Sequence, residues 1–226
     1  MPNQPNPSLW EFESSEQMMS HLVGQSYGAE PEKKLAEIRM SKAAIAQGIK
    51  FEAQMSPENV ALEIGSGCGF LANVVAGEVK RLHCADISAS FLEAAKNECR
   101  LRKNISFHQI TKRDLSFIES STIDVVYAYN VFIHLNLFDI YWYFKEFARV
   151  VAPGGRVWFD IAHASELKSA PNALFLEMAQ LYKDYPVGLP LLVQWQSADA
   201  VRGIAKDAGF SILAGATGSA LLFVKG

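Results

Sequence analysis

The apolar pentad Val60-Ala61-Leu62-Glu63-Ile64 runs straight into Gly65-Ser66-Gly67-Cys68-Gly69, and a helical pattern starts at Phe70. A strand that passes through glycines into a helix is the opening unit of a sheet whose strands are joined by helical crossovers. The chain repeats this alternation. Arg81 to Asp86 reads as a second strand and Phe91 to Arg102 as a helix. Ile105 to Ile110 and Asp124 to Ala128 read as strands, followed by an aromatic-rich helix from Phe138 to Val151. Pro153-Gly154-Gly155 breaks that helix before a fifth strand, Arg156 to Asp160. After a last helix, Val201 to Ala208, the runs Phe210 to Leu213 and Ala220 to Val224 are close enough to pair antiparallel. The expected fold is α/β: a doubly wound, mostly parallel seven-stranded sheet with helices on both faces and an antiparallel last strand.

Such sheets bind ligands beyond the carboxyl ends of their strands, where strand order reverses, and the first glycine turn marks that point. Glycine lets backbone approach a ligand with no Cβ in the way. Gly67 to Ala72 satisfies a loose dinucleotide pattern, which alone is weak. Starting at Glu63, however, the pattern is E-x-G-x-G-x-G. A carboxylate there is poorly placed beside a pyrophosphate and well placed beside an ammonium. S-adenosylmethionine (SAM) carries an ammonium and no phosphate. Asp86, at the end of the second strand, can accept hydrogen bonds from a ribose diol, which NAD and SAM share.

Composition removes several classes. The net charge is −3, so no basic face for nucleic acid is indicated, nor adhesion to an anionic membrane. No apolar run approaches the roughly 20 residues of a membrane span. Cys68, Cys84 and Cys99 form neither a disulfide framework nor a metal-ligand spacing, and no metal is expected. The reading is a cytoplasmic protein.

From about Val60 to Val224 the sequence resembles the class I SAM-dependent methyltransferases. Four segments carry the likeness: Ala61 to Gly69; Cys84-Ala85-Asp86-Ile87-Ser88 with Phe91 to Ala95; Ile123 to Leu135; and Phe147 to Arg156 with its Pro-Gly-Gly. The resemblance implies SAM as cofactor and S-adenosylhomocysteine as product. Glu63, Gly65, Ser66, Gly67 and Gly69 would face the methionine part. Asp86 would hold the ribose, with Ile87 against the adenine, and Ala128 and Tyr129 would line the floor. Many relatives place an acid after the third strand for the adenine amino group. Here Thr111 stands there, followed by Lys112-Arg113-Asp114, so adenine is met either by Thr111 and backbone groups or by Asp114 in a shifted register.

Methyl transfer from a sulfonium needs alignment and exclusion of water, and a hydroxyl acceptor also needs a base. His134 after the fourth strand and His163 after the fifth are the candidates, with His21 in the N-terminal segment behind them. His83 and His108 lie in strands and read as structural. Residues 1–50 form an N-terminal extension and helix, expected to act as a lid. Residues 51–226 form the methyltransferase domain, with a helical cap insertion at about 165–196. That insertion holds Phe175, Met178, Tyr182, Tyr185, Leu189, Leu191 and Trp195. It suits either a cap over a small molecule or a homodimer contact. The favoured function is O-methylation, ahead of N-methylation, of a hydroxylated metabolite or sugar unit. A protein-directed methyltransferase, a non-catalytic SAM-binding scaffold and a dinucleotide-dependent oxidoreductase stand as alternatives.

Overall fold

The computed structural model describes residues 10–14, 17–18, 30–167, 173–183 and 193–226. His21 lies outside the described residues, as do Tyr185, Leu189 and Leu191 of the insertion. The helices are α1 (Pro31–Glu52), α2 (Phe70–Val75), α3 (Ala89–Glu98), α4 (Leu137–Val150), α5 (Ala173–Lys183) and α6 (Ala198–Asp207). The main-sheet strands are β1 (Val60–Ile64), β2 (Arg81–Asp86), β3 (Ile105–Gln109), β4 (Ile123–Ala128), β5 (Val151–Asp160), β8 (Phe210–Leu213) and β9 (Ala220–Lys225). A separate two-stranded ribbon pairs β6 (Ala162–His163) with β7 (Trp195–Gln196), which the sequence reading did not foresee.

The seven strands lie in the order β3-β2-β1-β4-β5-β9-β8. All pairs up to β5 are parallel, and β9 runs antiparallel to both β5 and β8. The order reverses between β1 and β4, so the crevice opens beyond Ile64 and Ala128.

Two-residue alternation divides each strand between two cores. Leu62, Ile64, Val126, Val157, Phe159 and Phe223 pack under α4 and α6. At the centre of that side the Phe144 ring meets Phe147, Phe159, Phe210 and Phe223 at steep angles, the edge-on geometry aromatic rings prefer. Ala61, Leu82, Cys84, Val125, Tyr127 and Trp158 pack on the opposite side, under α1 and α2. Glu63 alternates onto this second side, and its register partner on β4 is Tyr127.

Two expectations need correction. Helix α4 begins at Leu137 behind an Asn136 cap whose Oδ1 accepts from the Phe138 and Asp139 N–H groups, and it ends at Val150. Pro153-Gly154-Gly155 does not separate helix from strand. It is an excursion inside β5: Ile123 pairs with Val151 and Val125 with Arg156, so β5 carries extra residues over one step of β4. Helix α2 is also shorter than its apolar pattern, which extends to Val79.

Helix α1 is held at two points, within its first half and at its last residue. Arg39 grips Glu98 on α3 through Nε and Nη2, at 3.0 and 2.7 Å. Glu52 accepts from the Trp158 indole N–H at 2.6 Å and from the Thr217 hydroxyl at 2.6 Å. Arg149 and Glu146 on α4 clamp the loop after β3 through the carbonyls of Leu115 and Ile118 and the N–H of Leu115.

Candidate functional site

The glycine turn leaves β1 with Gly65, Gly67 and Gly69 all at positive φ. Gly65 N–H donates to the Ala85 carbonyl at 2.7 Å, which fastens the turn to β2. Gly69 caps α2 at φ +82°, and a Cβ there would stand 2.8 Å from Ala95 Cα on α3. A Gly69→Ala variant meets both a left-handed backbone penalty and a backbone clash. It is expected to lose about 2–4 kcal/mol and to melt roughly 5–15 °C lower; an unchanged melting curve would refute this packing role. Gly67, at φ +49°, behaves differently: a Cβ there meets nothing within 4 Å, so this backbone borders open space.

Asp86 closes the turn from the side. Its Oδ2 accepts from Gly67 N–H at 2.8 Å and its Oδ1 from Ser88 N–H at 2.9 Å. Burial raises the carboxyl above its ordinary value, and the backbone donors from Ser88, Gly67 and Ile87 oppose that rise. Each carboxylate oxygen has a second lone pair able to accept a further hydrogen bond. Ser88 caps α3 through its hydroxyl, which accepts from Phe91 N–H.

Glu63 is 2% exposed and accepts from Tyr127 Oη at 3.1 Å and Cys84 Sγ at 3.8 Å. Burial pushes its carboxyl up to about 8, opposed by the Tyr127 hydrogen bond. Asp160, at the end of β5, is also buried and accepts from Asn130 N–H at 2.8 Å. Asn130 reaches that position at φ +57°, a left-handed conformation that asparagine tolerates better than most residues. Three buried acids, the penultimate residue of β1 and the last residues of β2 and β5, therefore lie at the carboxyl ends of the strands. Tyr129 lies half-buried among them, with Lys42 Nζ from α1 4.4 Å from its ring centroid.

The remaining candidates fall as follows. Ala128 is buried at the end of β4, and Ile87 is half-buried after β2, where its carbonyl accepts from Gln109 Nε2. Thr111 and Lys112 are exposed. Asp114 turns back to the Ser116 N–H and hydroxyl, which hold its carboxyl below the ordinary value. His134 ends the single turn Phe132–His134 after β4, and its ring lies 5.2 Å from that of Trp10. His163 faces the Ser219 carbonyl through Nε2 at 3.2 Å; a carbonyl only accepts, so that nitrogen carries the proton. His83 and His108 face each other across β2 and β3, and burial lowers the pKa of both.

Two features escaped the sequence reading. Lys42 is one. The other is the segment around Trp10: Glu11 accepts from the Ala89 and Ser90 N–H groups at the start of α3, and the Phe12 ring packs on Phe91.

The crevice suits a cation better than a pyrophosphate. It is ringed by Glu63, Asp86 and Asp160, and α2 is too short at six residues to supply an anion site. Ser66 Oγ is buried with no hydrogen-bond partner among the described residues, so the turn retains a polar group for a ligand. Glycine backbone, buried acids and an unsatisfied hydroxyl fit the amino-acid and ribose parts of SAM. Among the described residues no three His, Cys, Asp or Glu side chains converge as a metal site. No helix among them is long and apolar enough to cross a membrane.

Comparison with known proteins agrees with this geometry. Residues 61–155 match the methyltransferase domain family. A demethylmenaquinone methyltransferase of Tropheryma whipplei (strain Twist) is 28% identical over 159 residues, which are 66% of this chain and 65% of that protein. The match thus spans just under two thirds of that relative. Magnesium protoporphyrin IX methyltransferase from Synechocystis PCC 6803, solved with S-adenosylhomocysteine, shares the fold at TM-score 0.61 and 17% identity, covering 83% of each chain. Geranyl diphosphate C-methyltransferase from Streptomyces coelicolor A3(2), also solved with S-adenosylhomocysteine, does so at TM-score 0.59 and 12% identity, covering 80% and 74%. Strand order, glycine turn and the match over residues 61–155 converge on the Rossmann-like α/β fold of methyltransferases.

Proposed function

We propose that the chain transfers a methyl group from SAM to a small-molecule acceptor, at a hydroxyl oxygen in preference to nitrogen. The observation that carries the proposal is the buried Glu63 beside a glycine turn whose Gly67 is clasped by Asp86. When bound, SAM supplies an already activated methyl on a sulfonium. The protein's work is to hold that donor, align the acceptor and keep water out.

In this reading Glu63 receives the methionine ammonium and Ser66 Oγ takes a polar contact from the same moiety. Asp86 accepts from the ribose hydroxyls through its remaining lone pairs. Ile87, Ala128 and Tyr129 supply walls. Thr111, with backbone of the loop after β3, serves the adenine in place of Asp114, whose carboxylate is engaged by Ser116. The chemical base for a hydroxyl acceptor is His134; His163 is the second candidate, with Nδ1 as the acceptor once Nε2–H is spent on Ser219.

In this reading residues 1–50, extension and helix, act as a lid and the insertion at about 165–196 as a cap. Three rings support an acceptor with an apolar body. Trp10 lies against His134, and Phe175 on α5 stands edge-on to Trp195 at 5.2 Å. The names of the relatives above, a quinone and a porphyrin methyltransferase among them, lean the same way. The purified protein should bind S-adenosylhomocysteine in a calorimeter and consume SAM with a hydroxylated apolar acceptor. A folded sample that binds neither cofactor form sinks the proposal.

A further inference from the structure

Helix α1 faces the domain with Leu35, Ile38, Ala46 and Ile49, at the three- and four-residue spacing of one helical stripe. Lys42 falls in the middle of that stripe. A lysine at such a place is costly unless its ammonium meets something charged or polar. The Nζ lies over the Tyr129 ring at 4.4 Å, and no ion pair or hydrogen bond engages it among the described residues. The charges of Glu63 and Asp160 both act on it. Glu63 is bonded through Oε2 to Tyr127 and Cys84, and Asp160 through Oδ1 to the Asn130 N–H, so each keeps a second oxygen.

The helix carrying it is also anchored on both sides of Lys42. Arg39, less than one turn before Lys42, is fixed to Glu98, and Glu52 at the helix end is fixed to Trp158 and Thr217. A half-buried ammonium is thus held at the crevice, a short way from the carboxylate that would hold an ammonium of the opposite partner. An α-amino acid brings both charges on one carbon.

Resting on the SAM reading above, we propose that Lys42 receives the α-carboxylate of the cofactor's methionine moiety. Glu63 and Lys42 then read the zwitterion as a pair, one sign each. The carboxylate gives Lys42 the charged partner its burial calls for, and Tyr129 supports the lysine stem and head from below.

The test compares SAM with decarboxylated SAM, which keeps the sulfonium, ammonium and adenosine and lacks only the carboxylate. Calorimetry on the wild-type chain should show SAM binding about tenfold or more tighter than the decarboxylated form. In Lys42→Met the two should bind alike, at the wild-type affinity for decarboxylated SAM. Lys42→Arg should restore part of the preference. A Lys42→Met variant that keeps the wild-type ratio overturns the proposal. So does one that weakens both ligands equally while melting like the wild type, since Lys42 would then only shape the crevice. If Lys42→Met melts early, Lys42→Gln is read by the same ratio. Failure of the wild-type chain to bind either ligand overturns the SAM reading itself, a result distinct from loss of discrimination.

Discussion

An Asp86→Ala variant is expected to bind S-adenosylhomocysteine at least about a hundredfold more weakly, with its sheet still formed. Under the proposed function Asp86 has two roles, separable by measurement. Toward the protein it accepts one N–H from Gly67 and one from Ser88, so it sets the shape of the glycine turn and the start of α3. Toward the nucleoside it offers the remaining lone pairs of a buried carboxylate. A hydrogen bond to a charged group is worth about 1.5–3 kcal/mol, so losing two ribose contacts accounts for about two factors of ten. Asp86→Asn should fall between the two: it keeps one carbonyl acceptor, but its amide nitrogen faces a backbone N–H. Calorimetry with S-adenosylhomocysteine, paired with circular dichroism, reads both roles. Affinity within threefold of wild type in Asp86→Ala would remove this residue from the cofactor site.

The second large effect is on pH. The Glu63 carboxyl sits at about 8, against an ordinary value of 4.5, because it is buried. At neutral pH the unliganded protein therefore holds a proton there, and a bound ammonium favours its release. Affinity for SAM should rise with pH up to about 8, by at most about tenfold per unit, and level off above. Binding at pH 7 should release a proton, measurable as a dependence of the binding heat on the buffer's ionisation enthalpy. Stability has the opposite slope. The unfolded chain gives up this proton near 4.5 and the folded chain only near 8, so stability falls as pH climbs through that window, by at most ~1.4 kcal/mol per unit. Glu63→Gln should flatten both profiles and match wild-type affinity most closely at low pH. A variant with the wild-type slope would show that another group carries the titration.

The parts of this site written in local sequence were legible before any coordinates. The glycine turn, Asp86 and the strands around them follow from apolar runs ended by glycines, and the β1–β4 crevice follows from where those runs fall. The rest depends on partners distant in the chain. Lys42 does not stand out in the sequence, because Glu32, Lys33, Lys34, Glu37 and Arg39 already alternate with Leu35, Ile38, Ala43 and Ile45 along α1. The usable signal was narrower: a lysine in register with Leu35, Ile38 and Ile49. Asp160 reads in the sequence only as the end of the fifth strand. Its tie to Asn130 needs a left-handed residue at the end of β4, which no pattern announces. The β6–β7 ribbon is two residues long and has no period to detect. Trp10 to Phe12 are placed by ring contacts and by capping of α3, both of them tertiary.

The sheet order has a consequence for assembly. β9 lies between β5 and β8, so β8 cannot join the sheet until residues 220–225 have returned to pair with it. During folding or synthesis the outer edge of β5, with Val157, Trp158 and Phe159, stays unpaired while the following 60 or so residues are arranged. That edge is where a half-assembled molecule would adhere to another copy of itself. Once the hairpin of β8 and β9 docks, the adhesive edge becomes the interior of the sheet.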